Sequence, residues 1–161
     1  MSQTNGDTAA QDAVHSTFSI ERIYPASASR VFFAHSDEAT KRRWFAEGEG
    51  WTIDEYRLDF RVDGVEFSRF RYQDGPEITL HSVIQDIVPD RRIVIAYRMT
   101  LAGKPLSASL GTIELTPTDG GTLLRYTEQG AFLDGPDSAK GREEGSRWLL
   151  EALARELEAS T

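Results

Sequence analysis

Six strand-like segments follow one another between residues 56 and 132, and no turn between them is long enough to hold a helix. The segments are 56–62, 65–72, 77–88, 92–101, 106–116 and 122–132. They are punctuated by Asp63-Gly64, Asp74-Gly75-Pro76, Pro89-Asp90, Ala102-Gly103 and the run from Pro117 to Gly121. Parallel neighbours need a crossover of about a dozen residues, whereas antiparallel neighbours need only a tight turn. The middle of the chain can therefore fold only as an antiparallel meander.

The flanks complete the architecture. Residues 14–24 alternate Val14, Ser16, Phe18 and Ile20 with polar neighbours, which predicts a further strand ending at Tyr24-Pro25. Ser27 and Ser29 can cap a short helix carrying Val31, Phe32, Phe33 and Ala34. Ser36-Asp37 opens a second helix, 38 to about 47, closed by Trp44 and Phe45. From 138 to 159, Ser146, Leu149, Leu150, Leu153 and Leu157 recur at helical spacing, with Glu144, Arg147, Glu151, Arg155 and Glu158 largely opposite. Such a helix is about 33 Å long, enough to cross a whole sheet. The expected class is α+β: a curved seven-stranded antiparallel sheet around a long C-terminal helix, with two short helices closing one end.

Several segments strengthen this order of elements. They are Glu21 to Ala26, Arg30-Val31-Phe32, Arg43-Trp44-Phe45, Phe60-Arg61-Val62-Asp63-Gly64, Ile87 to Val94, and Gly121-Thr122-Leu123-Leu124-Arg125-Tyr126. Together with the terminal helix, they resemble the helix-grip (SRPBCC, START-like) superfamily of birch-pollen-allergen-like proteins, lipid-transfer domains and polyketide cyclases. The closer resemblance is to the bacterial branch related to the C-terminal domain of the activator of heat-shock protein 90 ATPase. It implies a cavity between sheet and terminal helix, the binding of a small hydrophobic molecule or lipid, and a link to stress response. The co-chaperone also has a large separate N-terminal domain that binds the chaperone, and 161 residues leave no space for it. Heat-shock protein 90 is therefore not an expected partner, while another protein partner or a homodimer is compatible with the chain.

Composition narrows function mainly by exclusion. With 26 Asp and Glu against 18 Lys and Arg, the net charge of −8 disfavours a general phosphate-backbone binder. The absence of cysteine excludes disulfides, thiolate metal sites and Cys nucleophiles. Residues 1–13 lack the cationic and apolar regions of a signal peptide, and no stretch approaches about 18 apolar residues. The expectation is a cytoplasmic protein with a disordered tail over 1–13 and a single ligand-binding domain over 14–161. No P-loop, G-x-S-x-G or G-x-G-x-x-G motif occurs, and His15, His35 and His81 have no second ligand at metal-binding spacing. No cofactor and no metal are expected.

A curved sheet held off by one helix leaves a gap, and its walls are predicted to include Trp44, Phe45, Phe60, Arg69, Tyr97, Met99, Tyr126, Trp148, Leu149, Leu153 and Leu157. Acid–base candidates are Glu128, Tyr126 and His81. If the Tyr126/Glu128 face of the last strand points inward, Glu128 is a carboxylate in an apolar setting and a candidate general base. Leu123 and Leu124 give each face one apolar residue, so parity leaves the inward face open. His81 is either a solvent-facing strand residue or a group projecting into the cavity. Arg69 and Arg71 are either salt-bridged or partners for an acidic ligand. Gly141 and Gly145, four apart at the start of the terminal helix, signal close approach to the last strand, room for a ligand, or fraying. Three functions follow: binding of a small hydrophobic or aromatic molecule, cyclase, dehydratase or hydrolase chemistry in the same cavity, or a co-chaperone-like interaction module.

Overall fold

Alternation and turn chemistry produce seven strands: β1 (Val14–Tyr24), β2 (Trp51–Leu58), β3 (Val65–Tyr72), β4 (Ile78–Val88), β5 (Arg92–Leu101), β6 (Lys104–Thr118) and β7 (Gly121–Phe132). They form one curved sheet of order β1-β7-β6-β5-β4-β3-β2, antiparallel at every pairing. This computed structural model describes residues 12–133 and 138–159, so the expected tail falls almost wholly outside the described residues. Helices α1 (Ala28–Ser36) and α2 (Glu38–Lys41) follow β1, and α3 (Ala139–Ala159) closes the chain. The expected α+β helix-grip arrangement is the one observed. No helix among the described residues is long and apolar enough to cross a membrane.

Two local expectations need correction. A strand over 56–62 with a tight Asp63-Gly64 turn is replaced by β2 ending at Leu58 and a loop over 59–64. A type I′ turn requires positive φ at both central residues, and only Asp63 (φ 67°) has it. Positive φ at both central residues occurs instead at Ala102-Gly103, with φ of 50° and 81°. The second helix does not run uninterrupted to Glu47, because α2 gives way to a π-helical turn at Arg42–Ala46. Its N-cap is sound: the Asp37 side chain accepts from the Thr40 amide at 3.1 Å.

The core forms where α3 crosses the concave face. Leu150, Leu153 and Leu157 are buried against Ile20, Val31, Trp44, Ile113, Leu115 and Leu124. The Tyr24 hydroxyl donates to the Leu150 carbonyl at 2.9 Å and Trp44 Nε1 donates to the Ala34 carbonyl at 2.8 Å, so neither buried polar atom is orphaned. Arg30 donates to the Leu157 carbonyl, and Arg43 Nε reaches Glu156 Oε1 at 3.0 Å. The two arginines thereby tie the C-terminal half of α3 to α1 and to the π turn.

At the β6–β7 turn, adjacent glycines face opposite constraints. A Cβ on Gly121 would lie 1.9 Å from the Tyr24 carbonyl oxygen, while one on Gly120 meets nothing within 4 Å. Gly121→Ala is expected to cost about 1–3 kcal/mol by forcing the backbone apart, and Gly120→Ala to be near neutral, as read by urea unfolding. Equal effects would refute the close-approach account.

Candidate functional site

Toward its N-terminal end, α3 stands off the sheet and leaves an apolar cavity of about 310 Å³. Its roof comes from the π turn and α3 through Trp44, Phe45, Trp148, Leu149 and Leu150. The sheet contributes Phe70, Leu80, Ile95, Met99 and Ile113. Trp148 and both Gly141 and Gly145 line the cavity yet are exposed, which places the opening beside the first turns of α3. All three tryptophans of the chain are in the lining.

The sheet under the cavity is polar in a patterned way, and Ser68, Ser82 and Tyr97 of that pattern reach the lining. Strand register puts Glu66, Ser82, Tyr97 and Ser109 side by side across β3, β4, β5 and β6, with Ser68 and Ser107 two residues along their strands. Ser68 and Ser82 line the cavity, are 2% and 0% exposed, and their hydroxyls have no hydrogen-bond partner. An unpartnered buried hydroxyl costs about 1–3 kcal/mol, so two together are an appreciable burden on the fold.

A buried ion pair sits at each end of this row. At one, Lys41 Nζ donates to Glu66 Oε1 at 2.8 Å and the Tyr56 hydroxyl donates to Oε2 at 2.6 Å. Lys41 also lies 4.5 Å above the Phe45 ring, which shelters its charge. At the other end, Glu128 Oε1 accepts from the hydroxyls of Tyr97 (2.5 Å) and Tyr126 (2.6 Å). Its Oε2 accepts from Ser109 Oγ (3.2 Å) and Arg142 Nη1 (3.3 Å). Arg142 further donates to the Tyr97 oxygen and to Ser107 Oγ, both at 2.8 Å. Burial raises the pKa of both phenols, so they stay protonated and keep donating. Gly111, paired with Glu128, makes this possible, since a Cβ there would crowd the Tyr126 hydroxyl at 3.1 Å.

The Tyr126/Glu128 face is thus the inward one, but its surroundings are not apolar. A carboxylate has about four lone-pair sites, and Glu128 has all four engaged. His81 is on the convex face of the sheet, against the Phe67 ring and among Arg57, Asp59 and Arg61, so the structure parts it from Tyr126 and Glu128. Parity explains this, because Ser82 beside it points inward. Of the predicted wall, Trp44, Phe45, Tyr97, Met99, Tyr126, Trp148 and Leu149 come together around the cavity. Arg69 does not: it lies on the convex face with Glu55 at 3.1 Å and Glu77 at 3.9 Å. Phe60 packs on Phe32 with ring centroids 5.6 Å apart, while Leu153 and Leu157 fill the core where α3 is clamped down. Close approach does not explain Gly145, since a Cβ there meets nothing within 4 Å.

Arg142, Lys41, Glu66, Ser68 and Ser82 carry the polar character of the site and were not legible as a set. Their signal was available in part: small residues at inward parity, and Gly111 and Gly130 inside a strand, mark a surface that something else approaches. His35 also lines the cavity. Its Nδ1–H donates to the Val31 carbonyl at 2.9 Å, fixing the neutral tautomer, and burial reinforced by Lys41 holds its pKa down at about 4.

Two tests follow from these contacts. Arg142 and Glu128 are 10% and 1% exposed, so Arg142→Met strands a buried carboxylate and is expected to cost about 3–5 kcal/mol. Glu128→Gln in that background should restore part of the loss in urea unfolding, and strict additivity would refute the coupling. For His35, the unfolded chain takes up a proton below about pH 6.5, which the native state refuses until about pH 4. Its contribution is complete above pH 6.5 and drains away as pH falls, with a slope approaching about 1.4 kcal/mol per pH unit. His35→Asn should flatten the stability profile between pH 6.5 and 5, and an unchanged slope would contradict the assignment.

Fold and cavity together define a helix-grip protein of the SRPBCC type, a sheet wrapped round one long helix with an apolar chamber between them. The family model for Activator of Hsp90 ATPase homolog 1-like protein matches residues 25–158, and the chain belongs to that family. A solved structure of a protein from Rhizobium loti is 60% identical, with a TM-score of 0.84, covering 91% of this chain and 99% of the other. One from Rhizobium leguminosarum is 39% identical with a TM-score of 0.89, covering 94% and 99%. A protein from Chromobacterium violaceum, 24% identical over 88% of this chain and 96% of its own, shares the fold with a TM-score of 0.74. No curated protein matches the chain.

Proposed function

We propose that residues 14–161 act as one ligand-binding domain that takes up a small, largely apolar aromatic molecule between the sheet and α3. The observation that carries this reading is the open chamber of about 310 Å³, walled by aromatic and aliphatic side chains with a few polar groups on its floor. That combination is the usual make-up of a small-molecule site. A co-chaperone-like interaction module needs no such volume and would do better with a filled interior.

Size sets the scale of the ligand. An apolar cavity of about 150 Å³ accommodates benzene, so the chamber here suits about twice that many heavy atoms. Naphthalene is a fitting probe. At ten times its Kd it is expected to stabilise the protein by about 1.4 kcal/mol, raising Tm by about 3–5 °C. Native mass spectrometry of freshly purified protein should show a one-to-one adduct with naphthalene or a co-purified molecule. No adduct together with no rise in Tm would sink the binding reading.

A further inference from the structure

The cavity's contents are constrained by its charge as well as its size. Two cations reach its wall, and each is already matched. Lys41 holds Glu66 at 2.8 Å, and Arg142 holds Glu128 at 3.3 Å. A third basic side chain on the wall, His35, donates its Nδ1–H to the Val31 carbonyl and is kept neutral by burial and by the nearby Lys41 charge. An ionic ligand would lose its hydration and find no unmatched counter-charge. Neutral molecules incur no such penalty.

The floor asks for hydrogen bonds all the same. Ser68 and Ser82 line the cavity, are almost wholly buried and have unpartnered hydroxyls, whereas Ser107 and Ser109 are already bonded to Arg142 and Glu128. In the β3–β4 register, Ser68 pairs with Leu80 and Glu66 with Ser82. The two serines are therefore diagonal neighbours on one face, about 7–8 Å apart at the backbone. A hydroxyl can donate or accept, so each can meet an oxygen of a bound molecule. Above them the walls are flat aromatic rings.

Resting on the binding reading above, we infer that the ligand is a neutral aromatic molecule of about two fused rings, bearing two hydrogen-bonding oxygens directed at Ser68 and Ser82. The hydroxyls left unpartnered in the fold are the ligand's anchoring points. The paired cations serve to hold the floor together and not to attract an anion.

The test is a titration series by calorimetry with naphthalene, 2-naphthol, 2,7-dihydroxynaphthalene and 2-naphthoate. Each added hydroxyl is expected to tighten binding about five- to tenfold, and 2-naphthoate to bind at least about tenfold more weakly than 2-naphthol. Ser68→Ala and Ser82→Ala should each remove about five- to tenfold from the diol's affinity while leaving naphthalene's unchanged. In the unliganded protein, both variants should hold or raise Tm, because an unpartnered hydroxyl has been taken out of the interior. If none of the four compounds binds, the cavity reading itself fails and takes this inference with it. If naphthalene binds but the diol gains nothing, or 2-naphthoate binds as tightly as 2-naphthol, only the ligand class is overturned. A fall in Tm for either serine variant would also count against it, since it would reveal a hydroxyl already partnered.

Discussion

Everything in this structure depends on how α3 is fastened to the sheet. Its C-terminal half is seated by apolar contact, with Leu150, Leu153 and Leu157 in the core and Arg30 and Arg43 pinning the end. Its first turns are fastened by charge, through Arg142 on Glu128, Tyr97 and Ser107. Apolar contact draws the surfaces together until they touch, whereas a long guanidinium arm spans a gap. Fastening one end by packing and the other by a reaching side chain leaves the helix propped, and the cavity is the space beneath the prop.

That space is costly. By the scaling found for empty cavities, a sealed void of about 310 Å³ would forfeit at most about 7 kcal/mol, comparable with the whole stability of a small domain. Water entering the open mouth reduces the loss, since the polar groups on the floor can bond to it. The buried carboxylates fit the same logic. Glu66 and Glu128 are each surrounded by donors, so the floor keeps its shape whether or not anything rests on it.

The sequence was informative about topology and less so about the chamber. Short turns dictated the meander, and the leucine spacing identified α3 and the face it buries. Periodicity says which side of a helix meets the sheet but not how far away the helix stands. For that reason Leu149 is a wall residue, while Leu153 and Leu157, one and two turns on, are core. Parity had a similar limit on β7: Leu123 and Leu124 left the faces equivalent, and only the inward placement of Leu124, Tyr126 and Glu128 resolved them. Arg142 was invisible for another reason. One arginine at the start of a polar helical stretch looks like any solvated surface residue. Its importance comes from Glu128, Tyr97 and Ser107, which lie 14, 45 and 35 residues away in sequence.

The glycines at 141 and 145 have a consequence of a different kind. They occupy the exposed rim of the opening, and at Gly145 there is open space where a side chain would project. This stretch of the rim, bare of side chains beside the exposed Trp148, does little to hold a molecule once it is inside, because the holding is done by the walls and floor. What it governs is passage. Lowering a barrier speeds entry and departure by the same factor and leaves the balance between them untouched. On the binding reading proposed above, the two glycines set how quickly the chamber exchanges its contents, and residence time can be altered there without altering what the chamber prefers.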